Sequence, residues 1–198
     1  MRKANRWSYK NKIMTENLFK NREERLAIRV ELAKPNDWEA CKKIRLHSIT
    51  GPEAIVMGMT PERLQEEMNK TEEQWREETS SEEMFSVLSW DGSEPVGLGR
   101  AKKVEEGLWR VRNGYVNEKF RGIGIQPRMI ALRLQEIIKR GGNKAVTGIR
   151  TDNPVSLHNV YKFGFKIVDV QDEVWATLES DLTDPEVIKK INEVLNAR

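Results

Sequence analysis

Val116-Asn117-Glu118-Lys119-Phe120-Arg121-Gly122-Ile123-Gly124-Ile125-Gln126-Pro127 reads as the end of a strand, a tight turn and the start of a helix. Ahead of it, Leu108 to Val116 mixes bulky apolar residues with Arg and Asn at strand length. Behind it, Ile130, Leu134, Ile137 and Ile138 recur at helical spacing. Gly141-Gly142 stops that helix, with Lys139 and Arg140 in its last turn. Pro127 suits the first helical position, where its missing N–H would be unpaired in any case. The amides just before it lie at the positive end of a helix dipole, a ready site for a phosphate.

Toward the N-terminus, Ala27 to Ala33 alternates apolar and charged residues as a half-buried strand does. Lys34-Pro35-Asn36-Asp37 breaks it and caps a helix to about His47. Gly51 to Met59 is an apolar loop, a candidate for lining a pocket. Thr60-Pro61 opens a second, highly charged helix that the sequence carries to about Thr79. Leu64, Met68 and Trp75 mark its thin apolar side, and its charges read as a solvated face. Glu83–Trp90, Pro95–Val104 and Leu108–Val116 are three strands with short links, an antiparallel meander, and Asp91-Gly92 supplies its first turn.

Toward the C-terminus, Lys144 to Arg150 is a strand, Asn153 to about Phe163 a helix, and Phe165–Val170 and Glu173–Leu178 two more strands. Asp184-Pro185 caps a last helix with Val187, Ile188, Ile191, Val194 and Leu195 on one face. This order predicts an α/β (α+β) domain, a mixed, mostly antiparallel central sheet with helices on both faces. Residues 26–198 form this domain, and residues 1–25 read as a basic N-terminal arm.

Composition narrows the function. The chain has 198 residues, 38% apolar and 33% charged, which suits one globular domain with a well-solvated surface. A net charge of +3, with no basic stripe interleaved with aromatics, argues against a nucleic-acid partner. No stretch approaches membrane-span length and no apolar run follows the first basic residues, so neither a membrane partner nor a secretory signal is expected. The single cysteine, Cys41, fits a reducing, cytoplasmic setting and a small core side chain. His47 and His158 have no partners at metal-ligand spacing, so no metal is expected.

Among phosphate-binding turns, the dinucleotide fingerprint needs a third glycine and a later acidic residue, and a Walker loop needs Gly-Lys-Ser/Thr. Neither is present. Arg121-Gly122-Ile123-Gly124-Ile125-Gln126 instead resembles the R/Q-x-x-G-x-G/A loop of the GNAT family, acyl-CoA-dependent N-acetyltransferases, with Gln126 where that family usually has Gly or Ala. Asn153-Pro154-Val155-Ser156, followed by Phe163-Gly164-Phe165, resembles the N-x-x-A/S … G-F signature of the same family at matching distance. The order of elements from about Ala27 to about Ser180 is similar to that fold.

The resemblance implies a site. The strand before the loop splays from the next strand, and the pantetheine arm of acetyl-CoA pairs with backbone near Tyr115, Val116 and Asn117. Amides of Gly122, Ile123, Gly124, Ile125 and Gln126, with Arg121, hold the pyrophosphate. Asn153 bonds the arm and Ser156 is the small residue beside it. The Val116 N–H polarises the acetyl carbonyl, and a primary amine attacks directly. The family's acid tyrosine falls seven residues after the asparagine, at Val160. Tyr161 stands one step later, about 100° around a helix, and is the candidate catalytic acid. A glutamate base found in some members would fall at Gly148, and Glu118 is expected on the solvent side. Ile55 to Met59 and Trp109 are candidates for an amine pocket. The acceptor is a small-molecule or peptide amine, and a homodimer is compatible with this reading. A non-catalytic acyl-CoA-binding or sensing module is the alternative, motivated by the displaced tyrosine and missing glutamate.

Overall fold

The computed structural model describes residues 27–51, 54 and 59–197. The expected arm and residues 55–58 of the apolar loop lie outside them. The strands are β1 (Arg29–Leu32), β2 (Met84–Asp91), β3 (Glu94–Glu105), β4 (Leu108–Val116), β5 (Lys144–Arg150), β6 (Lys166–Gln171) and β7 (Trp175–Asp181). The helices are α1 (Trp38–Thr50), α2 (Pro61–Met68), α3 (Glu72–Thr79), α4 (Ile125–Lys139), α5 (Pro154–Tyr161) and α6 (Pro185–Asn196). They build one seven-stranded sheet in the order β1-β2-β3-β4-β5-β7-β6. Every pair is antiparallel except β4 with β5.

The charged stretch after Thr60 forms two helices where the sequence suggested one. Thr71 caps α3, accepting from the Gln74 N–H while the Gln74 side chain accepts from the Thr71 N–H. This reciprocal box starts a new helix and explains the break. Met68, expected on the apolar side, is exposed.

The two faces of the sheet are packed differently. Under α4 lies the main apolar core, with Phe85, Val87, Trp109, Val111, Met129 and Leu134 among its members. Against α1 lies a smaller cluster of Ala33, Cys41, Ile44, Leu88, Leu98 and Tyr115. Cys41 is a buried core side chain, as expected. Trp109 belongs to the main core, 5.7 Å from the Phe85 ring, because its position on β4 turns it under α4. The expectation that it lines an amine pocket is corrected.

The face under α1–α3 is completed by buried charge. Arg45 on α1 donates to Glu67 Oε1 on α2 (2.9 and 3.2 Å), and Lys70 Nζ bridges Glu67 Oε2 (2.9 Å) and Glu78 Oε1 (2.7 Å). Glu78 Oε2 in turn accepts from Arg100 Nη1 on β3 at 2.6 Å. The Lys70 ammonium and the Arg100 guanidinium each lie 5.1 Å from the Trp75 ring centroid. Burial alone would raise the Glu67 carboxyl, but hydrogen bonds and charge from Arg45 and Lys70 bring it down to about 2. The charge run read as a solvated face is therefore partly a buried clamp.

Candidate active site

The parallel pair β4–β5 holds over only three positions, Leu108–Arg110 against Lys144–Val146. Beyond them the strands part, and a cleft opens between Val111–Gly114 and Thr147–Arg150. A bulge in β4 drives the parting. Leu98 faces Tyr115 but Arg100 faces Arg112, so Asn113 and Gly114 together oppose Gly99. Asn113 takes the left-handed φ of 53° that this insertion requires. A Cβ on Gly114 would meet Gln126 Nε2 at 2.6 Å, so the bulge admits only glycine there without moving Gln126.

Alternation decides which backbone groups face the cleft. Asn117 N–H donates to Val96 C=O at 2.8 Å, and Leu98 pairs with Tyr115 two residues back. Asn117 and Tyr115 therefore turn their amides to β3, and Val116 turns its own toward the cleft. Of the three backbone positions expected to meet the arm, Val116 is the one so oriented. Its carbonyl accepts from Arg121 Nε at 2.9 Å, and the Arg121 guanidinium also lies 5.8 Å from the Tyr115 ring centroid.

After Val116 the chain makes a short 3-10 turn at Glu118–Phe120, capped by Asn117 Oδ1, which accepts from the Lys119 N–H (3.2 Å). Gly122 and Gly124 follow with φ of 81° and 83°. A side chain at either would strain the backbone. Gly124 is the N-cap of α4, so the helix starts at Ile125 and Pro127 is its third residue, not its first. Its missing N–H still falls among the unpaired four. The first helical bond runs from Arg128 N–H to Gly124 C=O. Among the described residues, the N–H groups of Gly122, Ile123, Gly124, Ile125 and Gln126 have no acceptor. Five amides are thus gathered at the positive end of a 15-residue helix.

Across the cleft, Asn153 and Ser156 line the β5 side. Asn153 Oδ1 accepts from Ser156 N–H at 3.0 Å and caps α5, which leaves the amide nitrogen for the cleft. Two further polar atoms are buried there without partners, Asn113 Nδ2 and Gln126 Oε1, one a donor and one an acceptor. Val160 also lines the cleft. Tyr161 does not, and is 45% exposed, because one helical step turns it to solvent. Glu118 is exposed, as expected. Gly148 lines the cleft, and a Cβ there would meet nothing within 4 Å.

Residues 50–165 match the profile of the Acetyltransferase (GNAT) family. The chain belongs to this family. A mycothiol acetyltransferase of Corynebacterium efficiens is 25% identical over 83 residues, 42% of this chain and 28% of that relative's length. The chain therefore spans under a third of that curated relative. The fold is similar to that of PaiA N-acetyltransferase from Thermoplasma acidophilum in complex with coenzyme A, at a TM-score of 0.62 and 15% identity over 78% of this chain and 98% of that one. It is also similar to yncA from Salmonella typhimurium with its cofactor acetyl-CoA, at a TM-score of 0.60 and 16% identity over 79% and 95%.

The residues of this GNAT domain fit the coenzyme. The orphaned Asn113 Nδ2 and Gln126 Oε1 match the carbonyl and N–H of an amide-bearing arm, and five loop amides match a diphosphate. Reading the sequence missed Asn113 and Gly114, although Asn-Gly inside a strand is a bulge signal. It also missed the cleft's electrostatics. Arg45, Arg112, Arg133 and Arg150 all line it, and among the described residues no Asp or Glu does. Arg133 is buried under the bulge, donating to the carbonyls of Met129, Arg100 and Arg112, and burial draws its guanidinium down to about 10. It stays cationic at neutral pH.

Proposed function

We propose that this protein moves an acetyl group from acetyl-CoA to the primary amine of a small molecule or peptide. The observation that carries this reading is the parting of β4 from β5 beside a loop whose amides are unpaired. The amides of Gly122–Gln126 hold the diphosphate, Asn153 and the Asn113–Gln126 pair grip the arm, and Ser156 leaves room for it. Bound acetyl-CoA supplies an activated thioester. The Val116 N–H faces the cleft and is placed to polarise its carbonyl. Cys41 is buried in the α1 cluster, away from the cleft, so attack comes directly from the amine. Among the described residues no carboxylate lines the cleft to act as base. The guanidinium groups there disfavour an ammonium and favour the neutral, nucleophilic amine. Tyr161, turned to solvent, is not required by this scheme.

Release of free thiol from acetyl-CoA with a panel of amines tests the proposal, and turnover is expected. The second reading, an acyl-CoA-binding module without catalysis, is favoured by Gly148 and by the outward Tyr161; coenzyme binding with no turnover across the panel would select it. The buried, unpaired Cys41 supports a cytoplasmic setting. Among the described residues no helix is long and apolar enough to cross a membrane. The exposed edge strand β6, with Ile167, Val168 and Val170 at its surface, is where a second copy would add in a homodimer.

A further inference from the structure

The four arginines of the cleft are not equivalent. Arg45 is engaged by Glu67, Arg150 by Asp152 (2.9 and 2.7 Å), and Arg133 by backbone carbonyls. Arg112 accepts from Arg133 through its carbonyl, but its guanidinium makes no hydrogen bond or ion pair among the described residues. It is the cross-strand partner of Arg100, so its side chain leaves the sheet on the α1–α3 face. There partial burial, and after it the charge of Arg45, draws its pKa down, while the carboxylates that oppose this shift, Glu67 and Glu78, are already bridged by Arg45, Lys70 and Arg100. A guanidinium without an ion-pair partner, beside a second cation and lining a cleft that no acid among the described residues lines, suits a carboxylate or phosphate.

Arg112 is also at the wrong end of β4 to serve the diphosphate. Four strand residues, roughly 13 Å, separate it from Val116 and the loop amides. It stands on the other side of the bulge, where an acceptor would enter.

We infer that the acceptor amine carries an acidic group, a carboxylate or phosphate, which docks on Arg112 at the α1–α3 side of the β4 bulge. This rests on the acetyltransferase reading. Arg45 backs the site without leaving Glu67, and the acceptor's amine is thereby directed toward the Val116 end of the cleft. A polyamine, cationic along its length, is disfavoured by the same field.

The test is steady-state thiol release by the full chain with matched amines: an amino acid, its carboxamide, an aminoalkyl phosphate and a polyamine. The account expects kcat/KM for an acid-bearing amine to exceed that of the carboxamide by about tenfold or more. Which of the two acids is preferred distinguishes carboxylate from phosphate. Arg112→Gln should raise KM for the acid-bearing amine by about tenfold with a smaller change in kcat, collapsing its advantage over the carboxamide. Arg112→Lys should restore part of it. Arg112 has no ion pair to lose, so the unfolding midpoint of Arg112→Gln should match the parent. Turnover that favours the carboxamide or polyamine, or an equal loss on all amines in Arg112→Gln, overturns the inference while leaving the transferase reading intact. No turnover with any amine overturns the transferase reading itself, and calorimetric titration of the acid-bearing amine into CoA-saturated protein then decides Arg112. Weaker binding by Arg112→Gln supports the anion site and equal binding ends it.

Discussion

The two ends of the cleft are made of different material. The end proposed for the coenzyme is main chain from one continuous stretch, Val116 to Gln126, in which glycines and a helix start present N–H groups. The end proposed for the acceptor is side chain, with guanidinium groups brought together from α1, β4, α4 and β5. Backbone sites are written locally, since a turn's residues specify its own geometry. A side-chain site exists only after tertiary packing has joined residues as far apart as Arg45 and Arg150.

The largest effect should come from breaking the clamp that holds the acceptor end. Glu67→Ala strands Arg45 in a buried setting, leaves Lys70 with Glu78 alone, and should cost about 3 kcal/mol in urea unfolding. A loss below about 1 kcal/mol would mean the clamp is not what seats α2 and α3. Linkage sharpens this. The Glu67 carboxyl is held at about 2 in the folded protein, against 4.5 for an ordinary glutamate. Its stabilisation is therefore full above pH 4.5 and is lost as pH falls toward 2. The stability gap between parent and Glu67→Ala should narrow over that window, and a gap constant with pH would contradict the assignment.

At the coenzyme end, Gly124→Asp places a carboxylate and a strained φ at the helix N-cap. Coenzyme affinity measured by calorimetry should drop by about thirtyfold or more, with the circular dichroism spectrum retained. Unchanged affinity would detach the loop from the diphosphate. Asn153→Ala removes the α5 cap, worth about 1 kcal/mol, together with one cleft donor. Its affinity loss should be smaller than that of Gly124→Asp. Gly148→Ala should be the mildest, within about 0.5 kcal/mol of the parent in stability, since open space surrounds the new methyl. Its effect should fall on KM for bulky amines.

What could be read from sequence follows the same division. The boundaries of β4 and β5 were legible because turn residues bracket both, and of the motif residues Gln126, Asn153 and Ser156 line one cleft, while Gly122 and Gly124 lie in the turn that leads into α4. The split of the 60–79 stretch was encoded in Thr71-x-x-Gln74 but hidden by uniform charge. The burial of Glu67, Lys70 and Glu78 was not legible, because their partners Arg45 and Arg100 come from another helix and a strand. Trp109 was assigned to a pocket because an aromatic near a site motif invites it, yet strand alternation puts it in the core. Tyr161 missed the cleft by one helical step, the displacement its spacing already implied.

Residue-resolved amide hydrogen exchange on adding coenzyme A tests the central claim most directly. The account predicts new protection at Val116 and at Gly122, Ile123, Gly124, Ile125 and Gln126, while Tyr115 and Asn117, already bonded to β3, change little. Protection that appears elsewhere and spares the loop would contradict it.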